Sequence, residues 1–143
     1  RNWEALKLSE GAKSVLKGVP DGLPPLLKAY RMQEKVANYG FDWAQPEEVW
    51  NKVQEELNEL RAEIAAGHAE RMEAEFGDVL FALVNYARFL GVNPDTALER
   101  TNRKFKQRFQ YIENRAEAEG RTLREMTLGE MDAYWEEAKQ NAL

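Results

Sequence analysis

Five acidic residues carry the spacing best suited to chemistry in this chain: Glu55, Glu56 and Glu59 in one run, Glu75 and Asp78 in the next. Gly67 lies eight residues after Glu59 and eight before Glu75, and eleven residues from both Glu56 and Asp78. Two helices folded back at that glycine would set the acids opposite one another in pairs. At a rise of about 1.5 Å per residue, the two levels fall roughly 12 Å and 16 Å from the turn. Carboxylates gathered so closely repel, since two unit charges about 4 Å apart cost roughly 4 kcal/mol at an effective dielectric of 20. Protons, basic partners or a metal must relieve that strain.

The chain has no cysteine and a single histidine, His68, which excludes disulfides, thiolate sites and histidine-rich zinc or di-iron centres. A metal here is held by oxygen, and all-oxygen ligation points to Mg2+, with Mn2+ as a substitute. Magnesium keeps several waters and completes its shell with substrate phosphates, so the cluster reads as a nucleotide-polyphosphate site. On a helix advancing about 100° per residue, Glu56 lies about 60° from Val53 and Glu59 about 60° from Glu56, so both border the apolar face. Lys52 and Glu63 share that border, while Glu55 falls further round, towards solvent or an incoming ligand. Glu75 and Asp78 are again about 60° apart, on the side of Ala82, Tyr86 and Phe89. Alone, a Glu-Glu-x-x-Glu run is a solvated helix face; the second acidic pair, beside an apolar helix, is what favours a site.

Matching positive charge comes later in the chain. If the chain reverses near Val92, Asp78 lies fourteen residues before the turn, with Lys104 twelve and Arg108 sixteen after it. The two basic groups bracket Asp78 in height and share a face, about 40° apart. Standing alone they would read as surface salt-bridge partners. His68 reads as an exposed loop residue, and Trp43 and Trp135 as core or edge aromatics, with base stacking the alternative.

Five segments read as helix and none as strand. Pro24 and Pro25 open the first, which runs to about Asn38 with Gly40 to end it. Pro46 opens the second and Gly67 closes it, with Val49, Val53, Leu57, Leu60 and Ile64 at helical spacing. The third runs from about Glu70 to Leu90, ends at Gly91, and is apolar almost all round after Asp78, which predicts a place in the centre of a bundle. Asn93-Pro94 starts a fourth with a stripe of Leu98, Phe105, Phe109, Ile112 and Ala116, and Thr127 with Glu130 forms a capping box for a short fifth. Short connections imply antiparallel packing, so the expected fold is an all-α antiparallel bundle of four main helices plus a short C-terminal helix.

Residues 1–22 have no sustained period and read as a tail or linker before a domain at 23–143. A chain of 143 residues suits one domain that hides about two thirds of its unfolded surface. The longest apolar stretch, Val79 to Val84, falls far short of the roughly 20 residues a membrane helix needs, and no signal-peptide pattern opens the chain, which predicts a cytoplasmic location without membrane contact. A net charge of −5 argues against general nucleic-acid binding. No Gly-rich phosphate loop appears, so nucleotide would be cleaved here rather than used to drive work.

These residues resemble the MazG family of all-α nucleoside triphosphate pyrophosphohydrolases. The resemblance rests on Glu55-Glu56-Leu57-Asn58-Glu59 followed by Glu75-Phe76-Gly77-Asp78. Tyr39-Gly40-Phe41-Asp42-Trp43 and the run from Asn102 to Phe109 support it. It implies Glu56, Glu59, Glu75 and Asp78 as magnesium ligands and Lys52, Lys104 and Arg108 as triphosphate contacts. It also implies that Glu55 arranges nucleotide or water and that Trp135 lies near the nucleotide. The implied reaction is Mg2+-dependent hydrolysis between the α and β phosphates of a nucleoside triphosphate, with Glu55 or Glu59 orienting or deprotonating the water and Lys104 and Arg108 offsetting charge on the leaving group. A homodimer is implied as well. Some members carry two such domains in tandem, and the echo between Trp3-Glu4-Ala5-Leu6-Lys7 and Trp135-Glu136-Glu137-Ala138-Lys139, with no initiating methionine, fits a carboxyl-terminal copy. Rival readings are a phosphoribosyl-ATP or deoxynucleotide-specific pyrophosphohydrolase, and a non-catalytic helical interaction module.

Overall fold

The computed structural model describes residues 14–143, so the Trp3 echo and residues 1–13 of the expected tail lie outside the described residues. The fold is all-α. Among the described residues regular structure is helical throughout: α1 (Pro25–Ala37), α2 (Pro46–Ala66), α3 (Ala69–Leu90), α4 (Pro94–Ala118) and α5 (Leu128–Gln140), with 3-10 turns at Val15–Gly18 and Leu123–Glu125. The chain divides into two compact units, one ending at Asp95 and the other beginning at Thr96.

In the first unit the helix ends follow from local chemistry. The Glu48 carboxylate reaches back to accept from the backbone N–H of Ala44 at 3.1 Å and of Gln45 at 2.9 Å, fixing the start of α2 just ahead of Pro46. Gly67 ends α2 in the left-handed region at φ 74°, and Gly91 ends α3 in the same way at φ 73°. With only Gly67 and His68 between them, α2 and α3 fold back as an antiparallel pair. Val49, Val53 and Leu60 of α2 and Val79, Ala82 and Val84 of α3 are buried, and the Trp50 and Tyr86 rings meet at 5.4 Å. Helix α1 packs on α3, and Gln33 ties them by donating from Nε2 to the Phe81 carbonyl at 3.0 Å.

Two expectations need correction. The apolar run after Asp78 predicts an α3 covered on every side, yet Leu80, Phe81 and Leu83 stay 43–46% exposed. Within this unit α1 and α2 pack on α3, and two neighbours do not surround a helix. The α2 stripe is likewise narrower than its pattern, since Leu57 and Ile64 are exposed.

Helix α4 starts at the end of the first unit, with Asn93 Oδ1 accepting from the Asp95 N–H at 3.0 Å; in the second unit it buries Ile112 and Ala116, while α5 buries Ala138. The Leu98 and Phe105 positions of the α4 stripe are exposed. Glu137 of α5 accepts from Tyr111 and Arg115 of α4. Thr127 and Glu130 form the expected capping box, with Glu130 accepting from the Thr127 N–H at 2.8 Å and gripped by Arg121 at 2.8 and 3.0 Å.

A Cβ on Gly67 would meet no atom within 4 Å, so alanine there costs backbone strain alone. Gly67→Ala should lower unfolding free energy by about 1 kcal/mol in urea melts. The Arg121 guanidinium and the Thr127 N–H hold the Glu130 carboxyl down to about 2 from an ordinary 4.5. Its stabilisation is therefore full above the unfolded value and lost as pH falls through the folded one. Glu130→Gln should lower the urea midpoint at pH 7, with the gap to the parent closing below 4.5 and vanishing near 2.

Candidate functional site

The antiparallel α2/α3 pair brings the acids together. Glu56, Glu75 and Asp78 each place a carboxylate oxygen within 4.8 Å of the others, and Glu55, Glu56 and Glu59 do the same, so Glu56 belongs to both groups. The pairing across Gly67 thus holds: Glu56 of α2 meets Asp78 of α3.

Burial differs sharply within the cluster. Glu56 is only 6% exposed, Glu75 is half-buried, and Glu55, Glu59 and Asp78 are exposed. Oε2 of Glu56 and Oε2 of Glu75 are buried without a hydrogen-bond partner. Burial pushes the Glu75 carboxyl above its ordinary range, and repulsion from Glu59, Asp78 and Glu56 adds to it. Buried anionic oxygens without donors are what a hard cation binds: the donor set is all carboxylate, with two oxygens left open for ligation, and it fits a magnesium-type ion.

Lys52 sits one helical turn before these acids, its Nζ 2.7 Å from Glu55 and 3.0 Å from Glu56. Hydrogen bonds to Glu55 and Glu56 push its ammonium above its ordinary value, so it stays charged. The residue expected to touch triphosphate is thus already held by two of the acids. His68 is exposed at the turn, as expected, with Nδ1 3.5 Å from Glu63.

The other expected residues lie in the second unit. The Arg108 guanidinium stands 5.2 Å from the Trp135 ring and donates from Nε to the Leu143 carbonyl at 3.0 Å. Trp135 also meets Phe105 at 5.5 Å. Arg108 and Trp135 are therefore brought together, with Lys104 exposed on the same helix as Arg108.

Sequence reasoning missed Gln33, Asn85 and Arg88. A cavity of about 800 Å3 is lined by Glu56, Asp78 and Lys52 together with Gln33, Asn85 and Trp43. Arg88 clasps Asp42 at 2.6 and 3.2 Å and fastens the segment between α1 and α2 to α3. Asp42 was visible inside the Tyr39–Trp43 motif, but no spacing rule joins it to a residue 46 positions away.

Residues 44–112 match the family model described as the MazG nucleotide pyrophosphohydrolase domain, a span that holds all five acids, Lys104 and Arg108. Over these residues the chain carries a MazG domain. It is 41% identical over 142 residues to the nucleoside triphosphate pyrophosphohydrolase/pyrophosphatase MazG of Thermotoga maritima, covering 97% of this chain and 54% of that protein. It is 37% identical over 147 residues to the nucleoside triphosphate pyrophosphohydrolase of Escherichia coli K12, covering 99% and 56%. A third relative, protein YabN of Bacillus subtilis, is 48% identical over 143 residues, 97% of this chain and 29% of that one. The chain spans about half the length of the first two relatives.

If the carboxylates form one cation site, magnesium at a hundredfold excess over its dissociation constant should stabilise the parent by about 2.7 kcal/mol. Thermal melts in magnesium and in chelator would read that gain, and Asp78→Asn should remove most of it. Without divalent ion, Glu75→Gln should melt above the parent, because it removes a repelled charge.

Proposed function

We propose that this MazG-domain protein hydrolyses nucleoside triphosphates between the α and β phosphates, giving nucleoside monophosphate and pyrophosphate. The observation that carries the reading is the convergence of five carboxylates from α2 and α3, two of them with buried oxygens that lack donors. The MazG domain match and the names of the Thermotoga maritima and Escherichia coli relatives as nucleoside triphosphate pyrophosphohydrolases support it.

Glu56, Glu59, Glu75 and Asp78 are the proposed ligands of Mg2+, with Mn2+ as substitute. When bound, the ion supplies charge neutralisation on the phosphate oxygens and lowers the pKa of an attacking water. Glu55 or Glu59, both exposed, orients that water and takes its proton. Lys52 would turn its ammonium from the two acids towards phosphate. Lys104 and Arg108 offset charge on the departing pyrophosphate. Trp135, against Arg108, lies near the nucleotide.

The protein acts as a homodimer in this reading. The exposed Phe76, Leu80, Phe81 and Leu83 of α3 offer apolar area that a second copy would cover. No described helix is long and apolar enough to cross a membrane, and a cytoplasmic nucleotide pool is the proposed source of substrate.

Purified protein with magnesium and a panel of ribo- and deoxynucleoside triphosphates should release pyrophosphate rather than phosphate. Asp78→Ala and Glu59→Ala should each reduce kcat at least about a hundredfold with unchanged helical circular dichroism, and Lys104→Ala or Arg108→Ala about ten- to a hundredfold. Full activity in the two acidic variants would reject the site.

A further inference from the structure

Helix α4 sorts its charges by face. Arg100, Lys104 and Arg108 follow one another at intervals of four residues, about 40° apart round the helix and about 6 Å apart along it. The ridge they form lies wholly within the second unit. The acids of α4, Asp95, Glu99, Glu113 and Glu117, all fall on the other half of the helix surface, so none of them neutralises the ridge. Arg103, to one side, pairs with Glu99 at 3.5 Å. Arg100 and Lys104 are exposed and make no ion pair among the described residues.

The two ends of the ridge differ. Arg108 is anchored by the Leu143 carbonyl at 3.0 Å and stands against the Trp135 ring, whereas Arg100 is open to solvent. Like charges one turn apart on a helix destabilise each other, and a linear polyanion laid along them turns that repulsion into attraction. In the hydrolase reading above, Lys104 and Arg108 offset the charge of the departing pyrophosphate. Arg100 continues their line one turn further from Trp135, beyond the last phosphate of a triphosphate. Arginine there offers a planar fork of N–H donors that fits a terminal phosphate.

We propose that Arg100 binds a fourth phosphate, so that the site takes nucleoside 5′-tetraphosphates as well as triphosphates. The assignment rests on the hydrolase reading. The nucleoside end lies towards Arg108 and Trp135, and the phosphate chain runs along the ridge to Arg100. Cleavage at the same α–β bridge gives nucleoside monophosphate and tripolyphosphate. One water is consumed: its oxygen bonds to one phosphorus as the bridging P–O bond breaks, the bridging oxygen departs with the other phosphorus, and the water protons pass to phosphate oxygens.

Hydrolysis of adenosine 5′-tetraphosphate and of ATP with magnesium, products separated by anion exchange, tests this. The parent should convert the tetraphosphate to AMP and tripolyphosphate. Arg100→Gln should raise KM for the tetraphosphate about tenfold and leave KM for ATP within about twofold of the parent. Lys106→Gln removes the same charge from an exposed position on the other half of α4 and should move neither value. A parent that cleaves ATP but not the tetraphosphate overturns the fourth-phosphate site and leaves the hydrolase reading intact. So does an Arg100→Gln variant that weakens both substrates alike or neither, or a Lys106→Gln variant that matches it. A parent that cleaves neither nucleotide defeats the hydrolase reading itself, and the Arg100 site with it.

Discussion

The mutual repulsion of carboxylates beside a buried helix face is the constraint on which the rest of this structure depends. Glu56 is taken almost fully out of water, and Glu75 is held among Glu59, Asp78 and Glu56 at a cost that raises its own proton affinity. A surface helix with the same composition would carry no such penalty, because water would solvate each acid separately. Here the fold accepts the cost and leaves two oxygens without donors, which supports the proposed ligand set over a decorated face.

That constraint explains the position of Lys52. Its ammonium, between Glu55 and Glu56, compensates part of the negative charge from within α2 itself, at i+3 and i+4. Among the described residues Glu75 and Asp78 on α3 make no such ion pair, and repulsion from Glu59, Asp78 and Glu56 adds to burial in raising the Glu75 carboxyl. The rigid antiparallel pair keeps it there: a left-handed glycine closes each end of α3's neighbourhood, at Gly67 and at Gly91.

Polar ties between helices serve the same end from further out. Gln33 binds α1 to a main-chain carbonyl of α3, and Arg88 fastens Asp42 to α3 while bracing itself on Asn85. Both ties border the cavity that Glu56 and Asp78 also line. In the second unit, Glu137 with Tyr111 and Arg115 sets α5 against α4, and Arg108, Phe105 and Trp135 gather on one another there.

The sequence by itself determined the helices and their limits, because proline at first turns, glycine after last turns and the Thr127 capping box act through bonds a few residues long. It determined the opposition of Glu56 and Asp78 as well, since equal counts from one turn glycine give equal heights on two antiparallel helices. Only the tertiary structure decided how deeply each acid is buried and which sides of α3 remain open, because burial depends on how many neighbours surround a helix and not on its own pattern. Only it joined Gln33 to Phe81 and Asp42 to Arg88, for residues 48 and 46 positions apart meet through packing of whole elements, which no local periodicity encodes.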